Sequence, residues 1–262
     1  MVILAQKWAE VYMTSHPEVE IQVTGGGSGT GFAALQNQTT DLATASRRIR
    51  ARESAACIKI FKRRPKEIRV CLDGLSVYVH KANPITELSL KQLADIFTGK
   101  TKNWKTLGGP NAPITIYSRE NSSGTYEFFK ENVIGGRDFT ASAQSMPGTA
   151  AVLQAVSQDR NGIGYGGAAY GLGAKSLRIK RHSNEPAFAP NEEHVRSRDY
   201  PIWRYLYIYV DPNQYRGPVA EFLEWIQSDE GQSVVGQVGY FPLASADKWT
   251  EPHTKRLVQR RE

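Results

Sequence analysis

Two glycine- and hydroxyl-rich stretches each stand at the head of an apolar helical pattern, and their chemistry is that of anion capture. The first is Gly25-Gly26-Gly27-Ser28-Gly29-Thr30-Gly31. A glycine-rich turn feeding a helix leaves backbone N–H groups unpaired and a partial positive charge at its mouth. Such a terminus binds phosphate, sulfate or carboxylate. Ser28 and Thr30 add hydroxyl donors there, and Gly29 lets a ligand come close to the backbone. Taken alone, this stretch reads more readily as a plain glycine turn. In the second stretch, Arg119 stands four residues before Ser123-Gly124-Thr125. A planar guanidinium grips two oxygens of a tetrahedral anion while hydroxyls and helix N–H groups take the others. A surface pair with Glu120 is the alternative use of Arg119. Ser46-Arg47 forms a third donor pair, unless it belongs to the solvated basic run Arg47, Arg48, Arg50 and Arg52. Thr149, after Met146-Pro147-Gly148, is a fourth donor or part of a simple turn.

Other ligands of glycine-rich loops fit poorly. No lysine follows Gly31, so the phosphate-binding loop of nucleoside triphosphatases is absent. The dinucleotide pattern is met only as Gly29-x-Gly31-x-x-Ala34, and Arg50 and Arg52 stand where a ribose-binding carboxylate belongs. No general base, nucleophile–histidine pair or carboxylate dyad sits in the four loops. Donors without a base describe binding rather than turnover, so no enzyme is expected.

The elements that must position these donors follow from periodicity. Leu4, Trp8, Val11 and Tyr12 mark a first helix that ends at His16-Pro17. Val19, Ile21 and Val23 alternate as a strand, the first glycine loop opens a short helix through Phe32 and Leu35, and Asp41–Ala45 returns as a strand. Ile68–Val79 is a long apolar segment interrupted by Asp73-Gly74. Ser89 caps a helix that Gly99 terminates. Strand, polar loop and helix then recur about ninety residues after the first set, from Ile114 through Val133. A helix over Val152 and Val156 and a Gly162–Tyr165 strand complete this second unit. The aromatic strand Trp203–Val210 leads back to the first unit, and helices follow from Pro218 and Ser228. The stretch after Lys248 reads as a loose polar tail. The expectation is an α/β chain of two lobes with the donor loops facing one another across a cleft.

Composition agrees with a folded chain. Of 262 residues, 33 are Lys or Arg and 26 are Asp or Glu, a net charge of +7. Hydrophobic residues make up 40%, enough for a core. There is no apolar run of membrane-spanning length. The basic residues lack the aromatic interleaving of a nucleic-acid surface, so no nucleic acid is expected as a partner. Two cysteines and five scattered histidines form no recognisable metal set, and no cofactor is expected.

Seven stretches carry a family resemblance: VEIQVTGGGSGTGFAAL, TDLATASRRI, CLDGLSVYVHKANPI, LSLKQLADIFTGKTKNWKTLGG, ITIYSRENSSGTYEFF, NGIGYGGAAY and FLEWIQSDEGQSVVGQVGYFPL. Through them the chain resembles the PstS-type phosphate-binding proteins of ABC uptake systems, within the type II periplasmic-binding superfamily. The resemblance covers nearly all of residues 1–243, and Arg119 with Ser123-Gly124-Thr125 is among its most specific parts.

The resemblance implies a two-lobed fold with mixed sheets, helices on both sheet faces and an enclosed phosphate in the cleft. Lobe I would comprise residues 1–77 and 205–262, and lobe II residues 78–204. The crossing strands would fall near Leu75–Val79 and Arg204–Tyr207. Carried over by position, Ser28, Gly29, Thr30, Ser46 and Arg47 serve lobe I, and Arg119, Ser123, Gly124 and Thr125 serve lobe II, with Thr149 beside them. The implied role is delivery of inorganic phosphate to the permease subunits of an ABC transporter, by a monomer in a periplasmic or extracytoplasmic compartment. The alternatives are a receptor for another oxyanion such as sulfate, an anion-sensing module, and a phosphatase in the same cleft. Some family members place an aspartate where Ser46 stands. Relatives usually carry a strand and a donor loop before the first helix, so the resemblance implies such a segment ahead of Met1, and weaker phosphate binding and lower stability without it. In an oxidising compartment Cys57 and Cys71 either pair, closing a loop of about fifteen residues for roughly 3 kcal/mol, or remain two separate buried thiols.

Overall fold

A computed structural model describes residues 1–171 and 173–248. Helix α1 (Val2–Ser15) buries Leu4, Trp8, Ala9 and Tyr12, the one-face spacing expected of an amphipathic helix. Residues 19–24 join no strand; the hydrogen bonds recorded for their N–H groups run back to the end of α1 and the turn after it, from Val19 to the His16 carbonyl and from Ile21 to the Met13 sulfur. The expected Val19–Val23 strand is therefore corrected to a segment outside the sheets. Helix α2 (Ser28–Gln36), strand β1 (Leu42–Ala45) and helix α3 (Ala51–Phe61) follow, and strand β2 (Lys66–Val79) is the longest strand among the described residues.

Strand β3 (Glu87–Ser89) leads into helix α4 (Leu90–Phe97). Ser89 and Gln92 form a capping box at its start, and Gly99, with φ +77°, supplies the left-handed residue beyond its end. Strand β4 (Thr115–Arg119), helix α5 (Gly124–Asn132), strand β5 (Gln144–Met146), helix α6 (Thr149–Gln158) and strand β6 (Gly162–Gly167) build the second α/β unit. Short strands β7 (Lys175–Ser176) and β8 (Arg178–Lys180) and helix α7 (Glu192–Ser197) precede β9 (Trp203–Val210). Helices α8 (Pro218–Gln227) and α9 (Asp229–Val238) come last, with Pro218 in the first turn of α8 and Ser228 capping α9.

The main sheet runs β1-β9-β2-β6-β4-β5, with β7 also on β2, and β3 and β8 form a small parallel sheet apart. The sheet is mixed: β1, β9, β2 and β6 are antiparallel neighbours, whereas β4 is parallel to both β6 and β5. Strand β2 is shared between the two halves. Lys66–Gly74 pairs with β9, and Leu75–Val79 pairs with β6. Asp73-Gly74, expected to interrupt the segment, instead lies inside one strand at the point where the partner changes. On the other side, all of Trp203–Val210 pairs with β1 or with the first part of β2.

Each half has its own core. Leu4, Trp8 and Tyr12 pack with Ile68, Val70 and Ile226 on one face of the first half, while Phe32, Leu35, Phe61 and Tyr209 pack on the other. The second half is built around Val77, Leu93, Phe97, Trp104, Phe129 and Tyr165. Cys71 belongs to the first of these clusters and Cys57 to the second, and both thiols are free. The possible Cys57–Cys71 bridge is thereby corrected: the sheet separates the two thiols. Burial pushes both thiols above the ordinary cysteine range, Cys71 furthest. The polar tail after Lys248 lies outside the described residues.

Candidate anion-binding site

Three helices begin at the cleft. Helix α2 starts at Ser28, α5 at Gly124 behind the cap Ser123, and α6 at Thr149. Each follows a strand end or loop that also carries a donor, so N–H groups, hydroxyls and one arginine converge on a cavity of about 620 Å³. Its lining divides into two sets. Ser28, Thr30, Ser46, Arg119, Ser123, Gly124, Thr125, Thr149 and Arg204 form a polar end, while Ala5, Trp8, Leu42, Ile208, Phe222 and Ile226 form an apolar end beneath α1 and α8.

Arg119 ends β4 and is about nine-tenths buried. Its Nη1 donates to Thr149 Oγ1 at 3.0 Å and its Nη2 to Glu120 Oε1 at 2.8 Å. The pair with Glu120 is thus present while Arg119 also lines the cavity. Its Nε is buried without a protein acceptor, which an anion oxygen would satisfy. The hydroxyls are already oriented. Ser123 Oγ accepts from Tyr126 N–H at 3.3 Å, and Ser28 Oγ accepts from Ser46 N–H at 2.9 Å. A hydroxyl whose lone pair is taken by a protein N–H keeps its own hydrogen for a ligand.

The two halves are in close contact around the cradle. Gly29 N–H donates across the cleft to Ser122 O at 3.0 Å, so Gly29 joins the halves rather than lining the cavity. A Cβ on Gly27 would run into the Ser122 carbonyl, and one on Gly124 would run into Ser28 Oγ. These two glycines are where the close approach needs hydrogen in place of a side chain.

Arg47 faces away from the cavity. Its Nη atoms donate to Glu53 at 2.8 and 2.7 Å, its Nε pairs with Glu127 of α5 across the cleft, and its guanidinium lies 4.9 Å from the Phe32 ring. Arg50 also reaches Glu127, at 3.1 Å. Burial pushes the Glu127 carboxyl above its usual range, against the pull of Arg47 and Arg50. For Glu53 burial acts upward too, but the hydrogen bonds from Arg47 and from Arg50 N–H outweigh it and hold the carboxyl low. Of the ten sequence-derived candidates, eight line the cavity and two, Gly29 and Arg47, bind the halves to each other.

Two residues of the site escaped the sequence reading. Arg204 of β9 lines the cavity, and Asp73 of β2 stands opposite it in the strand register. Their signal was present: Arg204 is the one charged residue of Trp203–Val210, and Asp73 the one acid of Ile68–Val79. Charges embedded in buried strand patterns need partners, and opposite signs on two such strands point to each other.

Comparison with known proteins fits this geometry. A family model of the PBP superfamily domain matches residues 3–230. The phosphate-binding protein PstS of Pseudomonas aeruginosa is 35% identical over 256 residues, which covers 92% of this chain and 79% of that protein. The chain belongs to the PstS family. Protein SphX of Synechococcus elongatus is 30% identical over 251 residues, covering 92% of this chain and 74% of its own. Among solved structures, a putative phosphate ABC transporter substrate-binding protein from Clostridium perfringens, with bound phosphate, superposes with a TM-score of 0.85 at 28% identity. That match covers 93% of this chain and 96% of the other. The expected two-lobed PstS-type fold is thus the fold of this chain.

Proposed function

We propose that this chain binds inorganic phosphate between its lobes and delivers it to the permease subunits of an ABC-type uptake system. The observation that carries the reading is the convergence of three helix N-termini with Arg119, whose buried Nε lacks an acceptor. The relatives support it by name, and one solved relative holds phosphate. In this reading the binding set is Ser28, Thr30, Ser46, Arg119, Ser123, Gly124, Thr125 and Thr149, and Gly29 and Arg47 hold the lobes together around the ligand. Lobe I takes the chain up to the partner change in β2 together with the chain from β9 onward, close to the bounds 1–77 and 205–262, and lobe II takes the chain between, close to 78–204. The protein acts as a monomeric carrier in a periplasmic or extracytoplasmic compartment and performs no catalysis. No helix among the described residues is long and apolar enough to cross a membrane.

The test is calorimetric titration of the chain with phosphate, sulfate, molybdate and arsenate. Saturable binding of phosphate, with arsenate as its nearest competitor, is the expected outcome. A chain that takes up sulfate and ignores phosphate is a receptor for a different oxyanion. A chain that gives no heat with any of the four is not an oxyanion receptor.

A further inference from the structure

Arg204 sits beside the lobe crossing and touches both sides of the cradle. Its side chain is 5% exposed, and the Asp73 carboxylate opposite it is fully buried. A charge this deep is tolerated only when paired and hydrogen-bonded. Arg204 Nε and Nη2 donate to Asp73 Oδ2 at 3.0 and 2.8 Å, and Asp73 Oδ1 accepts from Ala168 N–H at 3.3 Å. The plane of the guanidinium is thereby fixed. Its outer edge then makes two further bonds: Nη2 donates to Thr125 Oγ1 at 3.0 Å, and Nη1 donates to Ser46 O at 3.1 Å.

Both contacts set the sense of a hydroxyl. Thr125 stands in the first turn of α5 and lines the cavity. With Arg204 on its lone pair, its hydroxyl hydrogen is left to point away from the guanidinium. On the other side, Arg204 holds the Ser46 carbonyl, and Ser46 N–H occupies the lone pair of Ser28 Oγ at 2.9 Å. One guanidinium therefore governs a donor on α5 and a donor on α2. We infer that Arg204, held by Asp73, is the positioning residue that aims the Ser28 and Thr125 hydroxyls at the bound anion from the two lobes. The inference rests on the phosphate reading given above.

A positioning residue that works through Thr125 must be energetically coupled to it, whereas a residue that only stabilises the fold is not. The experiment is a double-mutant cycle on the full chain, read by phosphate titration, with thermal melting as the check on folding. Arg204→Lys keeps a cation on Asp73 but loses the planar fork that serves three partners. Thr125→Val and Arg204→Lys are each expected to weaken phosphate binding about tenfold. The double variant is expected to be no weaker than about tenfold relative to the parent, because the second change removes a bond already lost. Independent losses that multiply to about a hundredfold would overturn the inference, as would Arg204→Lys binding like the parent.

A second variant guards against a buried mismatch. Asp73→Asn with Arg204→Gln removes both charges at nearly constant volume, and is expected to lose affinity as Arg204→Lys does. Full affinity in that folded pair would also overturn the inference. A parent that binds no phosphate overturns the phosphate reading and this inference together, whereas additive losses in a binding parent overturn the inference alone.

Discussion

Replacing Arg119 by alanine removes the largest single contribution to the proposed site. The guanidinium has five N–H donors. One goes to Thr149 and one to Glu120, and Nε has no protein acceptor. At least two donors are therefore free for anion oxygens. A hydrogen bond to a charged group contributes about 1.5–3 kcal/mol, so two such bonds lost give at least about 3 kcal/mol. That corresponds to at least a hundredfold in dissociation constant. Loss of the Glu120 pair adds little to stability, because that carboxylate is partly solvated and exposed pairs contribute about 0–1 kcal/mol. Phosphate titration of Arg119→Ala against the parent reads the effect, with melting curves to show that the fold persists. Arg119→Lys should recover only part of the affinity, since an ammonium cannot grip two oxygens in one plane. An Arg119→Ala protein that titrates within threefold of the parent would refute the reasoning and take this arginine out of the site.

Further outcomes follow from contacts elsewhere. In Gly124→Ala the new methyl would strike Ser28 Oγ across the cleft. An overpacking cost of about 1–3 kcal/mol would fall on the contact between the halves, so titration should show roughly tenfold weaker binding, and unchanged affinity would mean the lobes do not meet there. Glu53 is held below the usual carboxylate range in the folded chain, so its stabilisation is complete above the unfolded pKa and is lost as pH falls through the lower folded value. Glu53→Gln should accordingly destabilise the chain by about 2 kcal/mol at neutral pH, with the difference closing in acid, and a difference that grows in acid would reverse the assignment. Cys57 and Cys71 are free, buried and shifted upward. Both should resist alkylation in the folded chain and react after unfolding without reductant, and a mass gain of two hydrogens on reduction would show that they are bridged after all.

Local signals carried much of this architecture. Glycine-rich turns before helices, the capping box at Ser89 and Gln92 and the Pro218 start are short-range features, and each helix they announce is present. Long-range pairing was less legible. Alternation at Val19, Ile21 and Val23 is a strand signal, but a strand also needs a partner, which no local pattern reports. The same limit explains Arg47. Its position at the end of β1 gave it an anion-facing reading, yet Glu53 and Glu127, one local and one from the other lobe, take its donors. The sequence spacing of Cys57 and Cys71 allowed a bridge, and only the sheet between their two clusters forbids it. Arg204 and Asp73 were readable as buried opposite charges, but their register across β2 and β9 comes from tertiary pairing.

The most direct test of the central claim is a crystal structure of the chain grown or soaked with inorganic phosphate. A tetrahedral anion should lie at the polar end of the cavity, within hydrogen-bonding distance of Arg119 and of hydroxyls from both lobes, Ser28 on one side and Thr125 on the other. An anion bound by one lobe alone, or a polar end that stays empty at saturating phosphate, would contradict the account.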